Sequence, residues 1–224
     1  MNQTYEKYFT SDGAYCAKEY IPEHLSPKLE KEFHMQYLGN YKWCGPWENG
    51  VRKILQLFLL KGDSAIFEWG YNYSFLPIIK SGKLIYQRTD KTVAAQLRDM
   101  PESFINFKDW KPFCIPMHAN CEDKLTDQIE AVLSRTFPIV KNWYERTATL
   151  EDMIKEADLQ INHRNYYSFF SPSQQYIKAF LLAANGQNDE ASKVLEASDE
   201  YQEAGEDICQ KLMKKLTELN TIQQ

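Results

Sequence analysis

Residues 51–88 read VRKILQLFLLKGDSAIFEWGYNYSFLPIIKSGKLIYQR, and the period of this stretch decides the fold. It is rich in aliphatic and aromatic residues and is divided by two short breaks, Gly62-Asp63 and Ser81-Gly82. Gly beside Asp or Ser between apolar runs signals a two-residue hairpin, because the turns that match strand twist need positive φ. The stretch is predicted as three antiparallel strands over roughly 51–60, 65–79 and 83–89. Two-residue turns also fix the register, placing Arg52 opposite Tyr73, Gln56 opposite Trp69 and Arg88 opposite Phe75. Side-chain alternation then gathers Arg52, Gln56, Trp69, Tyr71, Tyr73 and Arg88 on one face and sends Glu68 to the other. Neither face is polar enough to stand in water, so both are expected to be covered by helices, by the N-terminal segment or by a second chain.

Outward from the strands, Ser26 followed by Pro27 predicts a first helix that Gly39 stops, and 39–50 reads as a turn-rich lead into the sheet. A helix is expected from about Asp90, and the aromatic, proline-broken 104–117 segment is expected to add an edge strand. Beyond residue 119 the apolar period changes to that of helices. Leu125, Ile129, Val132 and Leu133 mark one, Pro138 the start of another, Thr149 and Asp152 the cap of a third, and Ser171-Pro-Ser-Gln174 a capping box. Residues 179–195 have the small-residue spacing of a tetratricopeptide unit, but one unit does not make a stack, so a simple helical hairpin is expected. A last helix is expected over 201–219 on Ile208, Leu212 and Leu216, with a solvated charged face. Strands followed by helices give an α+β fold: an antiparallel meander of three to four strands in residues 1–118, then a helical region in 119–224, the two forming separate regions or one continuous domain.

Composition narrows the chemistry. The 224 residues carry 26 Lys and Arg against 31 Asp and Glu, a formal charge of −5 that speaks against nucleic acid, whose phosphates need clustered cations. No apolar run has the length of a membrane span and the start lacks a signal core, so a soluble cytoplasmic protein is expected. The five Cys are odd in number and scattered, unlike a disulfide framework. Cys114, His118 and Cys121 form the one compact thiol and imidazole cluster, but it lacks a nearby fourth zinc ligand, and neither metal nor cofactor is expected. Glycine-rich phosphate loops, HExxH and GxSxG are all absent.

Phe67-Glu-Trp69-Gly70 with Phe75-Leu-Pro77 and Arg88-Thr-Asp-Lys91-Thr92 resembles a strand pattern of uncharacterised bacterial α+β domains. The resemblance covers about 25 residues and implies a fold without an assigned chemistry. The leading expectation is a non-enzymatic protein-binding factor of accessory, regulatory or immunity type. The alternative is a receptor or enzyme for a small anion built on this face, where Arg52, Gln56 and Arg88 are mixed among Trp69, Tyr71 and Tyr73, with the two Arg as forked donors and Tyr71 or Tyr73 as proton donor. The competing structural expectation is that these rings are core and that the Arg side chains run to the sheet rim. A homodimer that buries one sheet face is a third possibility.

Overall fold

The computed structural model describes residues 17–61, 64–106, 108–117, 122–163, 167 and 170–221. In chain order the elements are α1 (Ala17–Phe33), β1 (Gln36–Gly39), β2 (Lys42–Glu48), β3 (Val51–Leu60), β4 (Ser64–Tyr73), β5 (Pro77–Lys80), β6 (Lys83–Tyr86), β7 (Leu97–Asp99), α2 (Glu102–Ile105) and β8 (Cys114–Pro116). Helices follow: α3 (Glu122–Arg146), α4 (Leu150–Asn162), α5 (Gln174–Ala184), α6 (Asn188–Glu196), α7 (Asp199–Gln202) and α8 (Glu206–Thr221). The fold is α+β, an antiparallel sheet in the N-terminal half followed by helices. None of the described helices is long and apolar enough to cross a membrane.

The chain divides into two compact units, and each draws on segments from both sides of residue 118. The first comprises the described parts of 1–48, 52–70 and 98–142. It holds most of a sheet in the order β1-β2-β3-β4-β7, with β8 also pairing β4. The link from β1 to β2 is the two-residue turn Asn40-Tyr41, both at positive φ. Sequence reading placed residues 36–39 in the first helix and 42–48 in a loop, although Gly39-Asn40 is itself a hairpin signal. The helix instead runs earlier, through Pro22 and Pro27, and ends where His34 turns left-handed at φ 56°. Ser26, expected as its cap, bonds the Pro22 carbonyl and accepts from the Trp43 indole at 2.9 Å, which fixes α1 on β2.

The face assignment of β3 and β4 is corrected. Three residues link Leu60 to Ser64, so the register slips by one from that of a two-residue turn. Gln56 and Glu68 consequently share a face, and the Gln56 amide donates to the Glu68 carboxyl at 2.5 Å. Phe67 and Trp69 of β4 therefore lie on the side opposite to Gln56 and Arg52. The predicted edge strand is present as β8, antiparallel to β4 with Ala65 paired to Ile115. In α3, Pro138 falls inside a continuous helix rather than starting one. Leu125 and Ile129 before it and Val140 after it are fully buried, and that burial holds the axis through the missing hydrogen bond.

The second unit comprises 49–51, 71–97 and the described residues from 143 onward. The predicted strand over 65–79 breaks at 74–76, and the strand after it joins no larger sheet: β5 and β6 form a separate two-stranded hairpin. Pro77, which cannot donate to a ladder, stands at the first position of β5. Within this hairpin the expected register holds, with Pro77 opposite Tyr86, Ile78 opposite Ile85 and Lys80 opposite Lys83. No helix forms from Asp90. The Thr89 and Thr92 hydroxyls close a turn there, and Gln96 satisfies the backbone at Tyr73 and Leu76. Thr149 caps α4 as expected, through its bond from the Asp152 amide. The cap of α5 is Ser173 rather than Ser171, and Glu200 accepts from its hydroxyl. Helices α5 and α6 make the expected hairpin, and Ile208, Leu212 and Leu216 bury the inner face of α8.

Candidate functional site

Trp69, Tyr71 and Tyr73 are 0%, 2% and 0% exposed, so these rings line no open groove. In the second unit the Tyr71 hydroxyl donates to the Thr147 carbonyl at 2.9 Å and its ring packs on Trp143. Burial pushes the Tyr71 phenol up to about 12, so it stays neutral and hydrogen-bonded in the core. Tyr73 donates to the Met153 sulfur at 3.5 Å, and burial raises its phenol well above the usual value. In the first unit Arg52 is also buried, its Nε donating to the Gly45 carbonyl at 2.7 Å and its guanidinium lying 5.6 Å from the Trp47 ring. That pairing holds the β2 to β3 corner together.

Gln56 belongs to a buried polar cluster of the first unit. The Glu68 carboxyl accepts from Gln56 on one oxygen and from Arg98 on the other, at 3.4 Å. Burial raises the Glu68 pKa, and the charge of Arg98, the bond from Gln56 and the charge of Lys42 hold part of that rise back. Cys114, also in this unit, has its thiol raised by burial, whereas His118 and Cys121 lie outside the described residues. A groove along α1 and α3 carries Lys28, Lys141, Glu32 and Glu130, but these charges pair among themselves at 2.8 and 2.5 Å.

Arg88 is differently placed. It borders a cavity of about 380 Å³ in the second unit, with Asn49-Gly50 and Ser74-Phe75 on one side and Lys215, Glu218 and Leu219 of α8 on the other. Leu150, Ala184, Phe75 and Leu219 supply apolar wall. The Arg88 Nε donates to the Ser74 carbonyl at 2.6 Å, and its guanidinium carbon sits 4.0 Å from the Tyr86 ring centroid. No described residue accepts from its two terminal nitrogens. Lys215 bonds Glu218 at 2.5 Å, so the cavity keeps one net positive charge, that of Arg88. Burial raises the Tyr86 phenol, the bond to Glu218 raises the Lys215 ammonium, and the bond to Lys215 lowers the Glu218 carboxyl. At neutral pH the three are a neutral phenol, an ammonium and a carboxylate, each shifted further from proton exchange.

Of the six residues singled out in the sequence, the structure thus places Arg88 on a cavity and gives the other five packing or hydrogen-bonding partners of their own. Sequence reading missed Gly50, Leu150, Ala184, Lys215 and Glu218. Asn49-Gly50 carried a turn signal, whereas the charged face of α8 looked merely solvated. No protein-family model, curated protein or solved structure matches the chain.

Proposed function

We propose that the protein is a non-catalytic binding protein whose ligand presents a carboxylate to Arg88 and an apolar body to Phe75 and Tyr86. The observation that carries this reading is the Arg88 guanidinium, held over Tyr86 by its Nε bond with its forked terminal donors unfilled. Anchoring through Nε leaves the two-nitrogen edge aimed outward, the geometry that takes a carboxylate through two parallel bonds. A concave, mostly apolar site with a few fixed polar groups is the usual form of a small-ligand pocket. The reading is of binding rather than catalysis because Tyr86, Lys215 and Glu218 are all shifted away from neutral pH, where a general acid or base would need to exchange its proton. The odd, scattered thiols fit a reducing compartment such as the cytoplasm.

Benzoate, a planar carboxylate on an apolar ring, is the simplest probe. Saturating benzoate is expected to raise the melting temperature of the protein, by about 2.7 kcal/mol of added stability at a hundredfold excess over Kd. Arg88→Gln, at an exposed position, is expected to fold normally and lose that shift. An equal shift in both proteins, or none in the wild type, would sink the reading.

A further inference from the structure

Tyr86 and Lys215 line a second cavity as well, of about 420 Å³, which shares these two residues with the first and is walled by the β5–β6 hairpin and α8. Its floor is apolar, from Leu84 and Ile208, and its rim is basic, from Lys83, Lys211 and Lys214. These cations are incompletely neutralised. Lys211 pairs with Asp207, but Lys214 reaches Glu218 only at 4.0 Å, and Glu218 is already held by Lys215. Among the described residues Lys83 has no carboxylate partner, and it stands directly opposite Lys80, a like-charge pairing that costs stability unless an anion lies beside it. From Lys83 to Arg88 the rim runs about 16 Å if extended, the reach of roughly five residues of strand. One compact carboxylate fills only the Arg88 end.

We propose that the joined groove takes an extended acidic peptide segment of a partner protein. One carboxylate sits on Arg88, apolar side chains lie on Tyr86 and Leu84, and further carboxylates meet Lys83, Lys211 and Lys214. This inference rests on the carboxylate site at Arg88. A peptide fits better than a nucleic acid on two grounds. The floor of the second cavity is aliphatic apart from Tyr86, so it lacks successive rings for bases to stack on. The net charge of −5 on the whole chain also opposes a phosphate polymer, with a charge on every nucleotide, more than a peptide whose carboxylates alternate with apolar side chains.

The test uses a fluorescein-labelled octapeptide of alternating Glu and Leu, followed by anisotropy, with benzoate binding measured in parallel by calorimetry. The wild type is expected to bind both. Lys83→Glu combined with Lys211→Glu should weaken the peptide about tenfold or more through charge repulsion and leave benzoate unchanged. The neutral Lys83→Gln and Lys211→Gln pair should give a smaller loss of the same kind, and Arg88→Gln should lose both ligands. Benzoate binding with no peptide binding, or with peptide binding indifferent to the lysines, would overturn the peptide groove and leave the Arg88 site standing. Loss of both ligands already in the wild type would overturn both readings. A uridine octamer that binds as tightly as the peptide, with the same dependence on Lys83 and Lys211, would overturn the choice of a peptide.

Discussion

Glu68 is wholly buried, its carboxyl between the Gln56 amide and the Arg98 guanidinium. Burial raises its pKa above the ordinary 4.5, so the folded protein holds the proton more tightly than the unfolded chain does. Its contribution to stability is therefore greatest below that ordinary value and falls as pH rises through the window up to the raised native value, then levels off. Glu68→Gln keeps the shape and removes the titration. Denaturant unfolding from about pH 4 to about pH 8 should show wild type losing stability relative to the variant across that window, at no more than about 1.4 kcal/mol per pH unit. A difference between the two proteins that does not change with pH would contradict this role. Arg88 contrasts with Arg52 at the same scale. Both Nε atoms bond a carbonyl, but Arg52 is buried against Trp47 whereas Arg88 is exposed at a cavity with two nitrogens unfilled. Residue type alone could not separate them, because the difference lies in what α8 brings near.

At the scale of elements, the turns set most of the outcome. Ser81-Gly82 adopts φ 50° and 69°, and the hairpin it closes carries Tyr86 and places it beneath Arg88. This part was legible in the sequence because a two-residue turn fixes every pair behind it. The β3 to β4 hairpin was misread because one additional linker residue reverses which side chains share a face. The continuous α3 was misread because propensity at Pro138 is a weaker influence than the burial of Ile129 and Val140 on either side. Gly82→Ala should cost about 1–2 kcal/mol, since its Cβ would meet nothing within 4 Å and only the left-handed backbone is strained. Gly50→Ala should cost more, because at φ 79° its Cβ would also lie 2.9 Å from the Ser74 hydroxyl, on the cavity wall. Thermal melts of the two variants check the order, and equal losses would show that the Ser74 wall yields freely.

For the whole molecule, the α+β class and the order of strands before helices followed from a change of apolar period near residue 119. The two compact units did not, because each is assembled from segments far apart in sequence and periodicity carries no such information. The cavity is a case of the same kind. Its Arg88 was visible beside a strand, but Lys215 and Glu218 lie more than a hundred residues further on. The aromatic stripe that drew notice on β4 supplies core instead, with Trp69, Tyr71 and Tyr73 closed from water. Among the described residues, Arg88 faces solvent over Tyr86 with its terminal donors unfilled. The most direct measurement is therefore an NMR titration of the arginine side-chain nitrogens with benzoate, with Arg88 assigned through Arg88→Gln. Arg88 should shift and saturate while Arg52, bonded to Gly45, stays still. An unmoved Arg88 signal at saturating benzoate, whatever moves elsewhere, would contradict the carboxylate site.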